Sequence, residues 1–186
     1  MKITTSLIIF IIYIALIGCN SSRQNKSKIS GRKDVQKSSR LPHPASNMSS
    51  GAKNLNKKIV DYSETFLGTK YKYGGTSPEE GFDCSGFAFY VFEHFNIKVP
   101  RVSRDFANIG EEISIQDSEP GDIILFTGTD TTGWKVGHVG IISKNENGDF
   151  KFIHSSSGRS VGVITSNLST YYKTRFVKVI RIAKNF

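Results

Sequence analysis

The hydrophobic pattern of this chain changes period once, and the change sets the class of fold. Leu55, Ile59, Tyr62 and Phe66 recur at three- and four-residue spacing, which predicts an amphipathic helix from Asn54 to Phe66, ended by Gly68. A second helix is predicted from Cys84 to Phe95, with Phe87, Val91 and Phe95 in one stripe, Ala88 and Phe92 beside it, and Asp83 as its N-cap. A short third helix fits Ser103 to Ile109, closed by Gly110. Beyond it the spacing shortens to runs of Val, Ile and Phe broken by Gly, Asn and Asp. Strands are predicted at Asp122–Thr127, His138–Ser143, Phe150–Ser156, Val161–Ser166 and Phe176–Ile182. Asn147-Gly148-Asp149 supplies a hairpin turn between two of them. Helices first and strands second point to an α+β domain, N-terminal helices packed on an antiparallel sheet of about five strands, and not to a doubly wound parallel sheet.

This domain is expected to occupy residues 53–186. The first 19 residues have a different character. Lys2 is followed by an apolar run from Ile3 to Gly18, like the n- and h-regions of a secretory signal peptide, and shorter than the roughly 20 apolar residues of a spanning helix. The run ends in Leu16-Ile17-Gly18-Cys19, which resembles a bacterial lipobox. Such a box implies that the Cys19 thiol is acylated and anchors the mature chain to a membrane. Asn20 follows the cysteine instead of the Asp that favours inner-membrane retention in enterobacterial sorting, so the expected location is the outer membrane, facing the periplasm.

Residues 20–52 are rich in Ser, Lys, Arg, Asn and Gln, and too poor in apolar side chains to build a core. They read as a basic tether that could stretch to roughly 110 Å. The tether also explains the net charge of +9. Asn20 to Lys58 holds ten basic residues and one acid, whereas Ile59 to the end holds 14 basic and 15 acidic residues. The folded part is nearly neutral, which argues against a nucleic-acid partner.

With Cys19 lipidated, Cys84 is the remaining thiol of an exported chain, and an unpaired exported cysteine calls for a reason. Its neighbours Asp83 and Ser85 are polar, and it stands where a helix begins. Unpaired N–H groups there favour a thiolate and could hold a developing oxyanion. A thiol nucleophile needs a base, usually histidine. His138 opens one predicted strand, and His154 lies on the next. Antiparallel pairing can bring these two positions side by side. Taken singly, each histidine has an ordinary structural reading; His94, at the far end of the second helix, is given that reading, and His43 is given no role. Together, Cys84, His138 and His154 can form a nucleophile–base–orienter triad. They could also ligate zinc, but no compact C-x-x-C or H-x-x-x-H pair is present.

At these residues the chain resembles the NlpC-type cell-wall cysteine peptidases, a papain-like family, over about Lys57 to Ile182. The resemblance rests on Gly68-x-x-Tyr71-x-Tyr73-Gly74-Gly75, Phe82-Asp83-Cys84-Ser85-Gly86, Val99-Pro100-Arg101, Pro120-Gly121-Asp122, His138-Val139-Gly140-Ile141 and His154. It implies a papain-like domain, Cys84 as nucleophile, His138 as general base and His154 as its orienter. It places Tyr71 near the oxyanion or substrate, with Asp83 and Ser85 recognising a substrate amine such as a free N-terminal L-alanine. It implies hydrolysis of a peptidoglycan stem bond, commonly γ-D-glutamyl to diamino acid, by a monomer without metal or organic cofactor. Phe106 stands where the family often has Gln. Other functions fit the same residues: cleavage of cross-links, an acyltransferase or amidase on this scaffold, or an inactive wall-binding lipoprotein.

Overall fold

The computed structural model describes residues 50–128, 133–158 and 162–182. The signal-like run, Cys19, most of the tether and His43 lie outside the described residues. In chain order the elements are α1 (Ser50–Glu64), β1 (Thr76–Ser77), β2 (Gly81–Phe82), α2 (Cys84–His94), a 3-10 helix (Ser103–Asn108), β3 (Glu111–Ile113), β4 (Ile123–Thr127), β5 (Val136–Glu146), β6 (Asp149–Ser156), β7 (Gly162–Asn167), α3 (Thr170–Lys173) and β8 (Phe176–Arg181). β1 and β2 form a small ribbon; the other six strands form one antiparallel sheet in the order β3-β8-β4-β5-β6-β7. No helix among the described residues is long and apolar enough to cross a membrane.

The mixed helix and antiparallel-sheet class is the one expected. The sheet has six strands, not about five. The extra strand is β3, whose Glu111 and Glu112 are exposed and carry no apolar alternation. The third predicted helix is a 3-10 helix, and α1 starts at Ser50, ahead of the periodic stretch. Its stripe does what the spacing implies: Ile59 is buried, and Leu55, Tyr62 and Phe66 pack partly against the same core.

Two apolar clusters lie on the sheet's two faces. α2 packs on β5 and β6, and α1 packs on α2 and β5. On that side Phe87, Ala88, Val91 and Phe92 of α2 meet Ile123, Leu125, Val139, Ile141 and Ile153. On the other side Ile124, Phe126, Ile142, Phe152 and Val179 gather, and Ile115, Leu168 and Tyr172 pack against them from loops and α3. This explains the run Ile123-Ile124-Leu125-Phe126: alternate residues serve opposite faces, so the strand is apolar throughout. Each fully buried side chain of this size contributes about 1.5–3 kcal/mol. Phe106 belongs to the helix-side core and is fully buried, so the departure noted at this position is a packing residue.

One ion pair ties the sheet to the loop ahead of β4. Arg181 donates from Nε to Asp122 Oδ1 at 2.8 Å and from Nη2 to Oδ2 at 2.7 Å, and Asp122 is buried. Oδ2 also accepts the Glu119 N–H at 2.7 Å. The Pro120-Gly121-Asp122 landmark is thus a structural corner.

Candidate active site

Asp83 organises the start of α2. Its extended backbone breaks the helix, and its Oδ1 accepts the Gly86 N–H at 2.6 Å, as an N-cap should. The same carboxylate receives the fork of Arg101, Nη1 to Oδ1 at 3.1 Å and Nη2 to Oδ2 at 2.9 Å. Ser85 Oγ donates to Oδ1 at 3.2 Å and accepts from Arg101 Nη1 at 3.1 Å, while the Gly74 N–H reaches Oδ2 at 2.9 Å. Gly86 has no room for a Cβ, which would collide with the Gly75 carbonyl. The glycine loop is therefore clamped to the helix, and Cys84 is held at its first position.

From there the Cys84 thiol reaches β5. Sγ lies 4.0 Å from the Gly137 carbonyl, the residue before His138. Cys84 is partly buried and free of any disulfide. Burial first, and then the charge of Asp83, push the thiol above its ordinary range; the N–H groups of Val139, Ser85 and Cys84 itself pull it down less strongly. This corrects the expectation that a helix start favours the thiolate here: the N–H groups are present, but burial outweighs them.

His138 and His154 are brought together as their strands' pairing allows. His138 Nε2 lies 2.8 Å from His154 Nδ1, with the rings perpendicular. His154 is fully buried, and its Nε2 meets Ser166 Oγ at 2.9 Å and Tyr172 Oη at 3.3 Å. Burial and the nearby charge of Arg175 push His138 down to about 4, and burial followed by His138 pushes His154 down to about 2. Both rings are neutral near pH 7. A neutral pair that leaves His138 Nδ1 as a base carries its proton on Nε2, donated to His154 Nδ1. His154 then carries its own proton on Nε2, donated to Ser166 Oγ. The Ser166 and Tyr172 hydroxyls can accept that proton, so they are compatible with the tautomer that a base needs.

A cavity of about 890 Å³ is lined by Tyr71, Cys84, His138, Ser155, Ser166 and Arg175 among others, while buried His154 is not among its lining residues. Tyr71 is placed there by a bridge to Phe82, and burial, followed by the charges of Cys84 and Asp83, raises its hydroxyl pKa. Asp83 and Ser85 stand behind Cys84 and are not among the lining residues. His94 is away from this site, stacked on Tyr62 at 3.9 Å. Among the described residues no group of three His, Cys, Asp or Glu side chains is set to hold a metal ion. Ser166, Tyr172 and Arg175 were not singled out from sequence. Alternation along β7 could have signalled Ser166, because Ile164 pairs with His154 and residue 166 is on the same face. The chemistry available is nucleophilic attack by a thiol that lines one cavity with a neutral imidazole, with backbone N–H groups at the nucleophile for a developing negative charge.

The model of the NlpC/P60 family matches residues 68–181, which include all of these cavity residues. The chain belongs to the NlpC/P60 family. It is 34% identical over 125 residues to the gamma-DL-glutamyl hydrolase of Bacillus subtilis, covering 67% of this chain and 29% of that protein. It is 35% identical over 127 residues to the probable endopeptidase NlpC of Escherichia coli, covering 67% and 76%. Among solved structures, an NLP/P60-family protein from Staphylococcus aureus, described as similar to lipoprotein, superposes with a TM-score of 0.60 at 29% identity, covering 71% of this chain and 43% of that one. The chain thus spans most of the Escherichia protein but under a third of the Bacillus one. Membership in the NlpC/P60 family agrees with the papain-like α+β expectation.

Proposed function

We propose that this protein is a cysteine peptidase that hydrolyses peptidoglycan stem peptides, at the bond between γ-D-glutamate and the diamino acid, through Cys84, His138 and His154. The observation that carries the reading is the 2.8 Å contact of buried His154 with His138, which lines the same cavity as Cys84. The names of the Bacillus and Escherichia relatives support the γ-glutamyl bond and the endopeptidase class.

As the Cys84 sulfur attacks the stem carbonyl carbon, His138 Nδ1 takes the thiol proton. This suits the resting state, a neutral thiol beside a neutral ring, because the proton moves with the attack. The oxyanion is held by the backbone N–H of Cys84, with the Tyr71 hydroxyl beside it. The C–N bond then breaks as His138 returns the proton to the leaving amine. Water, deprotonated by His138, releases the acyl group and restores the thiol. Asp83 and Ser85 serve the amine end of the stem: the Asp83 charge is felt at both Tyr71 and Cys84 even though Arg101 shares it. Cys19 carries a lipid that tethers the domain to the outer membrane, facing the periplasm, and the chain acts as a monomer.

The test is digestion of purified peptidoglycan, with products identified by mass spectrometry. The full chain should release fragments ending in γ-D-glutamate, and Cys84→Ala should release none. Products cut only at cross-links would move the bond; release by Cys84→Ala equal to wild type would end the reading.

A further inference from the structure

Arg175 is the charged residue among the described residues that line the cavity; the others are Ser, Thr, Gly, Tyr, Phe, Ile, Cys and His. Its guanidinium is held in place. Nη1 donates to the Gly128 carbonyl at 2.6 Å, and the fork lies over the Tyr171 ring, 4.5 Å from its centre. Among the described residues no carboxylate is within ion-pair range of it. A fixed, half-buried cation facing a cleft, with no carboxylate among the described residues paired to it, suits an anion.

The cleft is also polar along its length. The negative charge of Asp83 is felt by Cys84 and Tyr71, whereas the positive charge of Arg175 is felt by His138 and Tyr172. The base must face the leaving nitrogen, since it protonates that atom. The cation beside the base therefore faces the leaving-group half of the substrate. We propose that Arg175 binds a carboxylate carried by the leaving-group half, the α- or side-chain carboxylate of the diamino acid. This deepens the reading above and rests on it.

The proposal resolves an otherwise adverse arrangement. The Arg175 charge near His138 disfavours the imidazolium that forms during attack. A bound carboxylate neutralises the cation at the moment the base must accept a proton. Substrates that bring this carboxylate bind and also restore the basicity of His138.

The experiment uses two peptides, L-Ala-γ-D-Glu-diaminopimelate with free carboxyls on the diamino acid, and the same peptide with both amidated. Wild type should favour the free form in kcat/KM by about 10- to 100-fold, the range of a charge-assisted hydrogen-bonded pair. In Arg175→Gln that ratio should fall to within about threefold, and Arg175→Lys should keep an intermediate ratio. On the amidated peptide the acid limb of the pH profile should move to higher pH in Arg175→Gln, because loss of the cation raises the His138 pKa. A wild-type ratio near one overturns the proposal without any variant, and so does a full ratio retained in folded Arg175→Gln. If wild type cleaves neither peptide, the stem-peptidase reading itself has failed.

Discussion

Gly140 lies against His154: a Cβ on residue 140 would stand 3.4 Å from His154 Cβ and 2.8 Å from the Phe152 ring. His138 and His154 project from the same face of neighbouring strands, and the missing side chain between them leaves the imidazoles free to meet at 2.8 Å. Gly140→Ala forces the ring of Phe152 or His154 to shift. Overpacking of this kind costs about 1–3 kcal/mol. Displacement of the orienting ring should lower kcat/KM by on the order of 100-fold. Urea unfolding and stem-peptide kinetics check the two effects separately. A loss of stability with full activity would show that the clearance serves packing alone.

Two hydroxyls face His154 Nε2, Ser166 at 2.9 Å and Tyr172 at 3.3 Å, and either can accept its proton. Ser166→Ala should therefore cost little, about threefold in kcat/KM, because Tyr172 remains within reach. Ser166→Ala with Tyr172→Phe removes both partners from a buried N–H, a loss of about 1–3 kcal/mol, and should lower kcat/KM by at least about 10-fold. Side-chain nitrogen NMR of His154 should show the proton leaving Nε2 in the double variant. An unchanged spectrum and rate would remove these hydroxyls from the mechanism.

Stability should depend on pH through the same two histidines. Both have folded-state values far below the ordinary 6.5, at about 4 for His138 and about 2 for His154. Below pH 6.5 the unfolded chain binds protons that the folded chain refuses. Unfolding free energy therefore falls as pH drops from 6.5 toward 4, at about 1.4 kcal/mol per pH unit for each histidine. Well above pH 6.5, where the unfolded histidines are also neutral, neither group contributes a slope. Unfolding curves between pH 4 and 8 test this, and His154→Gln should lower the slope by about one histidine's share. A flat profile would mean that the rings charge freely in the folded state.

How much of this was legible beforehand follows from where each signal resides. Ile123 to Phe126 announce a strand because both faces are buried, and Phe87, Val91 and Phe92 announce a helix because one face is. β3 could not be read: Glu111 and Glu112 owe their strand state to pairing with Arg181 and Ile180, far away in the chain. Cys84, His138 and His154 were legible because rare reactive types sat at element starts and on adjacent strands. Arg175 and Tyr172 were not. They flank the four-residue helix α3 or lie within it, and no periodicity marks an element so short. The thiol's upward shift was also hidden, since burial is a tertiary property that the helix start does not reveal.

The corner at Asp122 offers a test of the fold apart from the chemistry. Arg181 meets both oxygens of a buried carboxylate, and loss of Asp122 leaves it the longer 3.9 Å ion pair with Glu119. Asp122→Ala should destabilise the domain by about 3–5 kcal/mol. Measured in urea, a change below about 1 kcal/mol would show that Glu119 or solvent takes over Arg181 once Asp122 is removed.

Asp83 carries two roles that one substitution separates. It caps α2 and pairs with Arg101, and it is proposed to attract the stem's N-terminal amine. Asp83→Asn keeps an oxygen for the Gly86 N–H but gives up the charge. The cap should survive, and the weakened pairing with a partly exposed Arg101 should cost about 1 kcal/mol. The attraction for an ammonium should vanish. Wild type should favour a stem with a free N-terminal amine over its N-acetylated form, and Asp83→Asn should cut kcat/KM for the free amine by about 10-fold while the acetylated stem changes far less. An equal loss on both stems would assign Asp83 to the clamp on Cys84 through Arg101, and the amine would then have to be recognised by a residue of the cavity, with Tyr71 the first to examine.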